Sequence, residues 1–110
     1  TLVNSGGVDS SDPNIPALDA PVLSQNYPNP FNPETTISFS LPSSGAANLA
    51  VYNLKGQKVK SLVSQILTAG DHSVVWDGRD EQGQPVASGI YFSRLCFSGQ
   101  TFQKKMVLAK

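Results

Sequence analysis

The sequence predicts an all-β protein, a single antiparallel β-sandwich of about seven strands. Three observations predict it. Apolar residues alternate with polar ones over short stretches: Ile37, Phe39 and Leu41 lie between Thr36, Ser38 and Ser40. That period of two is the mark of a strand with one buried face. Clusters of Gly, Pro, Asn and Ser break these stretches where β-turns are needed. No run of a dozen residues carries a convincing helical period, so short strands separated by turns must pack on one another as two layers.

The elements follow in chain order. Residues 1–20 hold Asn, Ser, Gly, Asp and Pro with scattered apolar residues, too few to offset the entropy of ordering. They are expected to be a flexible linker from a preceding domain, with the folded unit over 21–110. Pro28, Pro30 and Pro33 then fix φ and remove donors, so the segment is an extended lead-in with turns rather than a helix or central strand. Tyr27 and Phe31 are expected to anchor it on the core, and Asn29 and Asn32 to bond local backbone as Asx turns.

After the strand around Ile37 to Leu41, Pro42 to Gly45 is a turn, and Leu49 and Val51 mark a second strand with Tyr52 on its other face. Asn53 to Gly56 is a tight turn with Gly56 at positive φ. A third strand is expected around Val59 to Leu62. Residues 62–69 fit either a short helix or an irregular bridge. Gly70 opens a strand with His72, Val74 and Trp76 on one face. Residues 77–85 form a polar connection, and strands over Gly89–Phe97 and Thr101–Leu108 close the chain. Val22-Leu23 brings the number of strands from six to seven if it pairs. The expected core is Phe39, Val51, Val74, Trp76 and Leu95.

Composition narrows the function. Eight Lys plus Arg balance eight Asp plus Glu, and charged residues are 15% of the 110, below the usual quarter or so. A neutral chain has no electrostatic footprint for phosphate backbones or anionic lipid, so nucleic-acid and membrane-surface partners are excluded. Met106 to Ala109, the longest apolar run, is far too short to span a bilayer, so no direct membrane insertion is expected. Residues 1–20 carry neither a basic nor an apolar leader region, and a start at Thr1 reads as a piece of something longer. Cys96 has no cysteine partner in the chain; between Leu95 and Phe97 it is expected to be a buried small hydrophobe.

Nothing in the sequence points to catalysis. His72 stands alone on a strand pattern, where a packed or edge role is the ordinary one. No nucleophile elbow, Cys-x-x-Cys pair, His-Glu-x-x-His or phosphate-cradling loop occurs. Asp77, Asp80 and Glu81 cluster oxygens as calcium would require, but not at the spacing of an EF-hand loop. No cofactor, metal or catalytic residue is expected.

Residues 23–33 read Leu-Ser-Gln-Asn-Tyr-Pro-Asn-Pro-Phe-Asn-Pro. With Thr36-Ile37 and Phe39 to Pro42 after them, they resemble the opening of the type A C-terminal sorting domains of the type IX secretion system. Val51-Tyr52-Asn53 with Gly56-Gln57 and Val59 is similar to the next segment of that pattern. Trp76 to Asp80, Gly83 to Val86 and Ser88 to Phe92 are similar to the third, and Lys104 to Lys110 to the terminal signal. This third segment also resembles the immunoglobulin-like domain of the flagellar hook-capping protein. Ser93, where an aromatic often follows, and Ala109, where Leu is expected, depart from the pattern.

The resemblance covers residues 22–110 and implies an immunoglobulin-like sandwich whose work is transport. Its partners would be an N-terminal cargo domain in the same precursor, an outer-membrane secretion translocon that reads the domain, and a sortase-like peptidase that removes it. The cargo would pass through the periplasm to the cell surface or the extracellular space. The residues implied in recognition are Lys104, Lys105, Met106, Val107, Leu108 and Lys110, with Gly89 and Tyr91 beside the motif. The lead-in supplies Tyr27, Pro28, Asn29, Pro30, Phe31, Asn32 and Pro33. The lysines also suit the plainer role of guarding an edge strand against aggregation. The competing reading is a structural or adhesive accessory module of a secreted enzyme, or a hook-cap-like scaffold. Placement at the extreme C-terminus of a precursor would favour sorting. A carbohydrate-binding module would need aromatics on an outer face, and most here are assigned to the core.

Overall fold

The computed structural model describes residues 20–110, so the expected linker lies outside the described residues except for Ala20. Seven strands follow in order: β1 (Val22–Leu23), β2 (Thr35–Leu41), β3 (Gly45–Asn53), β4 (Lys58–Leu67), β5 (Gly70–Trp76), β6 (Gly89–Phe97) and β7 (Gln100–Leu108). They form two antiparallel sheets, ordered β1-β2-β5 and β4-β3-β6-β7. Val22 and Leu23 do pair, opposite Ser40 and Phe39.

Alternation decides the faces. Thr35, Ile37, Phe39 and Leu41 of β2 are buried while the residues between them are half-exposed. In β6 the buried set is Tyr91, Ser93, Leu95 and Phe97. The two inner faces meet in a core that joins Ile37, Phe39, Leu41 and Trp76 of one sheet to Leu49, Val51, Leu95 and Met106 of the other. Val74 packs on it half-buried. Apolar burial of this kind is the main force holding a sandwich together.

Cys96 departs from expectation. The parity of β6 turns it to the outer face, half-exposed, where its sulfur lies 3.6 Å from the Thr101 hydroxyl. An apolar neighbour on either side does not decide which face a strand residue takes; the position of Leu95 and Phe97 in the alternation does.

Residues 62–67 are strand, the continuation of β4, rather than a helix or bridge. The period is hidden by two register shifts against β3, where Leu49 and Ala50 face Val63 and Ser61, and Val51 and Tyr52 face Lys60 and Lys58. Each leaves one extra residue on β4, Leu62 and Val59, as a bulge does, and both pack on the core with Val63. The turn after β6 is a two-residue hairpin in which Ser98 (φ 52°) and Gly99 (φ 76°) both lie at positive φ, the geometry whose twist matches paired strands.

Candidate recognition surface

The lead-in lies along the outer edge of β7. Phe31 N–H donates to the Val107 carbonyl (2.9 Å), and Ala109 N–H to the Phe31 carbonyl (3.0 Å), making a short parallel bridge between Phe31 and Leu108. The Asn29 side-chain oxygen accepts from Val107 N–H at 2.9 Å, and Gln25 Nε2 donates to the Lys105 carbonyl at 2.7 Å. Asn29 therefore does not form the local Asx turn expected of it. It reaches 78 residues along the chain, a partnership that local turn chemistry gives no hint of.

This contact is fixed from beneath. The Phe31 ring is buried at 2% exposure and meets the Trp76 ring at 5.6 Å, while Tyr91 approaches Trp76 edge-on at 5.4 Å. Trp76 Nε1 donates to the Arg79 carbonyl at 2.9 Å and Tyr91 O–H to the Ala87 carbonyl at 2.6 Å. Both aromatics thus satisfy their polar ends at the rim, as buried Trp and Tyr must. Burial pushes the Tyr91 hydroxyl above the ordinary tyrosine pKa. Asn26, which sequence reasoning passed over, is buried and donates to the Thr35 hydroxyl (2.9 Å) and the Pro28 carbonyl (3.1 Å). Thr35 also donates to Pro28 (2.8 Å), so a small polar knot pins the start of the lead-in to β2.

The residues implied in recognition divide by face. Lys104, Lys105 and Lys110 are exposed, Val107 is half-buried, and Met106 and Leu108 are core residues. Lys110 N–H is held by the Ser88 hydroxyl at 3.0 Å. Gly89 begins β6 at φ 154° and Tyr91 is buried. In the lead-in Pro28, Asn29, Pro30, Asn32 and Pro33 are exposed and only Phe31 is buried. Tyr27 is not an anchor. It is 80% exposed, because its main chain pairs with Thr36 and strand parity sends its side chain outward.

Among the described residues β7 is an edge strand, paired along its length with β6 and bridged near its end by Phe31. The groups of Val107 facing the lead-in fix the parity: those of Thr101, Gln103 and Lys105 point the same way. Among the described residues, the main-chain groups of Thr101 and Gln103 and the N–H of Lys105 on this side have no partner. Among the described residues β7 is clamped at its end and open along its first half.

The acidic connection is engaged elsewhere. Asp80 Oδ1 accepts from the N–H groups of Gln82 and Gln84, and Asp77 Oδ1 from Arg79 N–H. Glu81 reaches the opposite edge of the sandwich, where it accepts from Ser61 N–H at 2.8 Å and sits 3.7 Å from Lys60. Among the described residues no three His, Cys, Asp or Glu side chains converge to hold a metal. His72 stacks on Phe39 at 5.5 Å, its Nε2 2.8 Å from the Thr68 carbonyl.

A seven-stranded, two-sheet sandwich with this strand order defines an immunoglobulin-like module. Residues 25–94 match the FlgD Ig-like domain, and the chain belongs to that family. Among solved structures, FlgD from P. aeruginosa is 28% identical with a TM-score of 0.51, over 68% of this chain and 59% of that one. Dimeric latent PorU from Porphyromonas gingivalis superposes with a TM-score of 0.64 at 19% identity, over 86% of this chain. PorZ of the same organism, an essential surface component of its type-IX secretion system, gives 0.55 at 20% identity over 86%. These last two likenesses are of fold, and this chain spans only 10% and 12% of the PorU and PorZ chains. No curated protein is matched.

Proposed function

We propose that this domain is a sorting address, a non-catalytic module at the C-terminal end of a secreted cargo protein. An outer-membrane translocon of the type IX secretion system reads it, and a sortase-like peptidase acts on it afterwards. The supporting observation is the meeting of the lead-in and the terminal segment along one edge. These are the stretches in which the sorting resemblance is most specific, and the bond from Asn29 to Val107 joins them across 78 residues. An address on a folded protein has to be read from outside, and this edge presents the exposed lead-in prolines beside Lys104, Lys105 and Lys110. The open half of β7 supplies main-chain donors and acceptors for strand addition by the reader, with the lysines meeting its carboxylates.

The test is the double substitution Lys104→Glu and Lys105→Glu in the intact precursor. Both side chains are exposed, so melting should be unchanged while surface delivery falls and cargo accumulates in the periplasm. Normal delivery of a folded variant contradicts the reading. Deleting residues 104–110 discriminates less well, because it also removes Met106 and Leu108 from the core.

Family membership favours a second reading, a hook-cap-like scaffold. The family match ends at residue 94, before β7 begins. A scaffold of that kind would tolerate the lysine reversals.

A further inference from the structure

The outer face of the four-stranded sheet carries a surface that the sorting reading touches only at Lys105 and the scaffold reading does not use. Register sets Lys58, Tyr52, Phe92 and Lys105 directly opposite one another across β4, β3, β6 and β7. Two aromatics therefore sit side by side at the centre of a solvent-facing sheet with a lysine at each end, and Ile90 beside them is 37% exposed. Arg94 lies over the Tyr52 ring at 4.0 Å. Its Nε and Nη2 both donate to Gln103 Oε1, at 3.2 and 3.1 Å. The ring face is thereby occupied by the cation, which does not suit a sugar-stacking platform. The guanidinium is instead held over the ring by its bonds to Gln103, and its remaining N–H donors can receive a carboxylate.

The described strands of this face also carry one sign of charge. Among the described residues the only ion pairs are Lys60 with Glu81 and Arg79 with Asp77, so Lys58, Arg94 and Lys105 lack carboxylate partners. Among the described residues no Asp or Glu lies on the strands of this face: Glu34 is in the lead-in, Asp71 on the other sheet, and Asp77, Asp80 and Glu81 in the connection after β5, where Asp80 and Glu81 border Lys58 at the β4 edge. Lys58, Arg94 and Lys105 thus set cations around an apolar centre.

The geometry points to this face as a docking surface for an acidic protein segment in extended conformation. Its carboxylates meet Arg94 and the two lysines, and an apolar side chain between them lies over Phe92. Three interstrand gaps put the lysine backbones about 14 Å apart, and glutamates four residues apart on an extended chain are separated by about 13 Å. The inference holds for an address and for a scaffold alike.

The test uses the whole chain and the probe peptide acetyl-Glu-Val-Phe-Val-Glu-amide, followed by amide chemical shifts. Binding should perturb Tyr52, Phe92, Arg94 and Lys105. It should weaken about tenfold when both glutamates become glutamine or when Arg94→Lys removes the fork, and fade as salt rises. Lys58→Glu should weaken it too, and serves if the Arg94 variant fails to fold. No binding at millimolar peptide, equal binding of the glutamine peptide, or shifts mapping elsewhere would overturn the proposal. So would perturbation of this face by phosphatidylglycerol vesicles but not by the peptide, since that would make it a membrane contact. None of these outcomes depends on secretion.

Discussion

At Gly78 the backbone takes φ +77°, and an added Cβ would lie 2.9 Å from the Pro33 carbonyl oxygen. The lead-in thus rests on the connection after β5 at a point where only hydrogen fits. Gly78→Ala should cost about 2–4 kcal/mol, combining left-handed strain with a clash against backbone. Gly83→Ala, at φ +79° but in open space, should cost only about 1–2 kcal/mol, and denaturant unfolding of the pair separates the two terms. Tyr91 gives a pH signature. Burial raises its pKa in the fold, so the unfolded chain releases its proton first. The neutral hydroxyl's stabilisation is complete below about pH 10, the unfolded value, and is lost as pH rises toward the higher folded value. Alkaline melting should show this loss, and Tyr91→Phe should remove that part of it. Sequence reading went astray at single residues whose face depends on register: Tyr27 and Cys96 look apolar and are turned outward, while Asn26, given no role, is buried.

Elements were more legible than residues. The β2, β6 and β7 strands follow from alternation and turn residues to within a residue or two; β2 and β6 bury one face along nearly their whole length, and β7 is bounded by the Ser98-Gly99 turn. β4 was not, because its two bulges place Val59, Leu62 and Val63 toward the core without a regular period. The clamp on β7 was equally hidden, since its bonds join segments about eighty residues apart. That clamp gives a prediction for hydrogen exchange. The amides of Val107 and Ala109 should be protected, and those of Thr101 and Gln103, on the same side of the same strand, should exchange fast. Asn29→Ala should release Val107 selectively while leaving β6 protected. Uniform protection along β7 would mean that its first half is covered after all.

For the molecule as a whole, the two edges of the four-stranded sheet are managed differently. Glu81 covers part of the β4 edge through Ser61 and Lys60, and the lead-in covers the end of β7. Among the described residues the first half of β7 is left as an open edge, and open edges are where sheets acquire partners. The most direct measurement of whether that edge and the lead-in together act as an address is a sufficiency assay. Residues 20–110 are fused to a periplasmic reporter in a host that carries type IX secretion, and reporter is quantified at the surface. The fusion should reach the surface with Asn29, Phe31 and the lysines intact. A fusion whose domain is folded yet stays wholly in the periplasm would contradict the account.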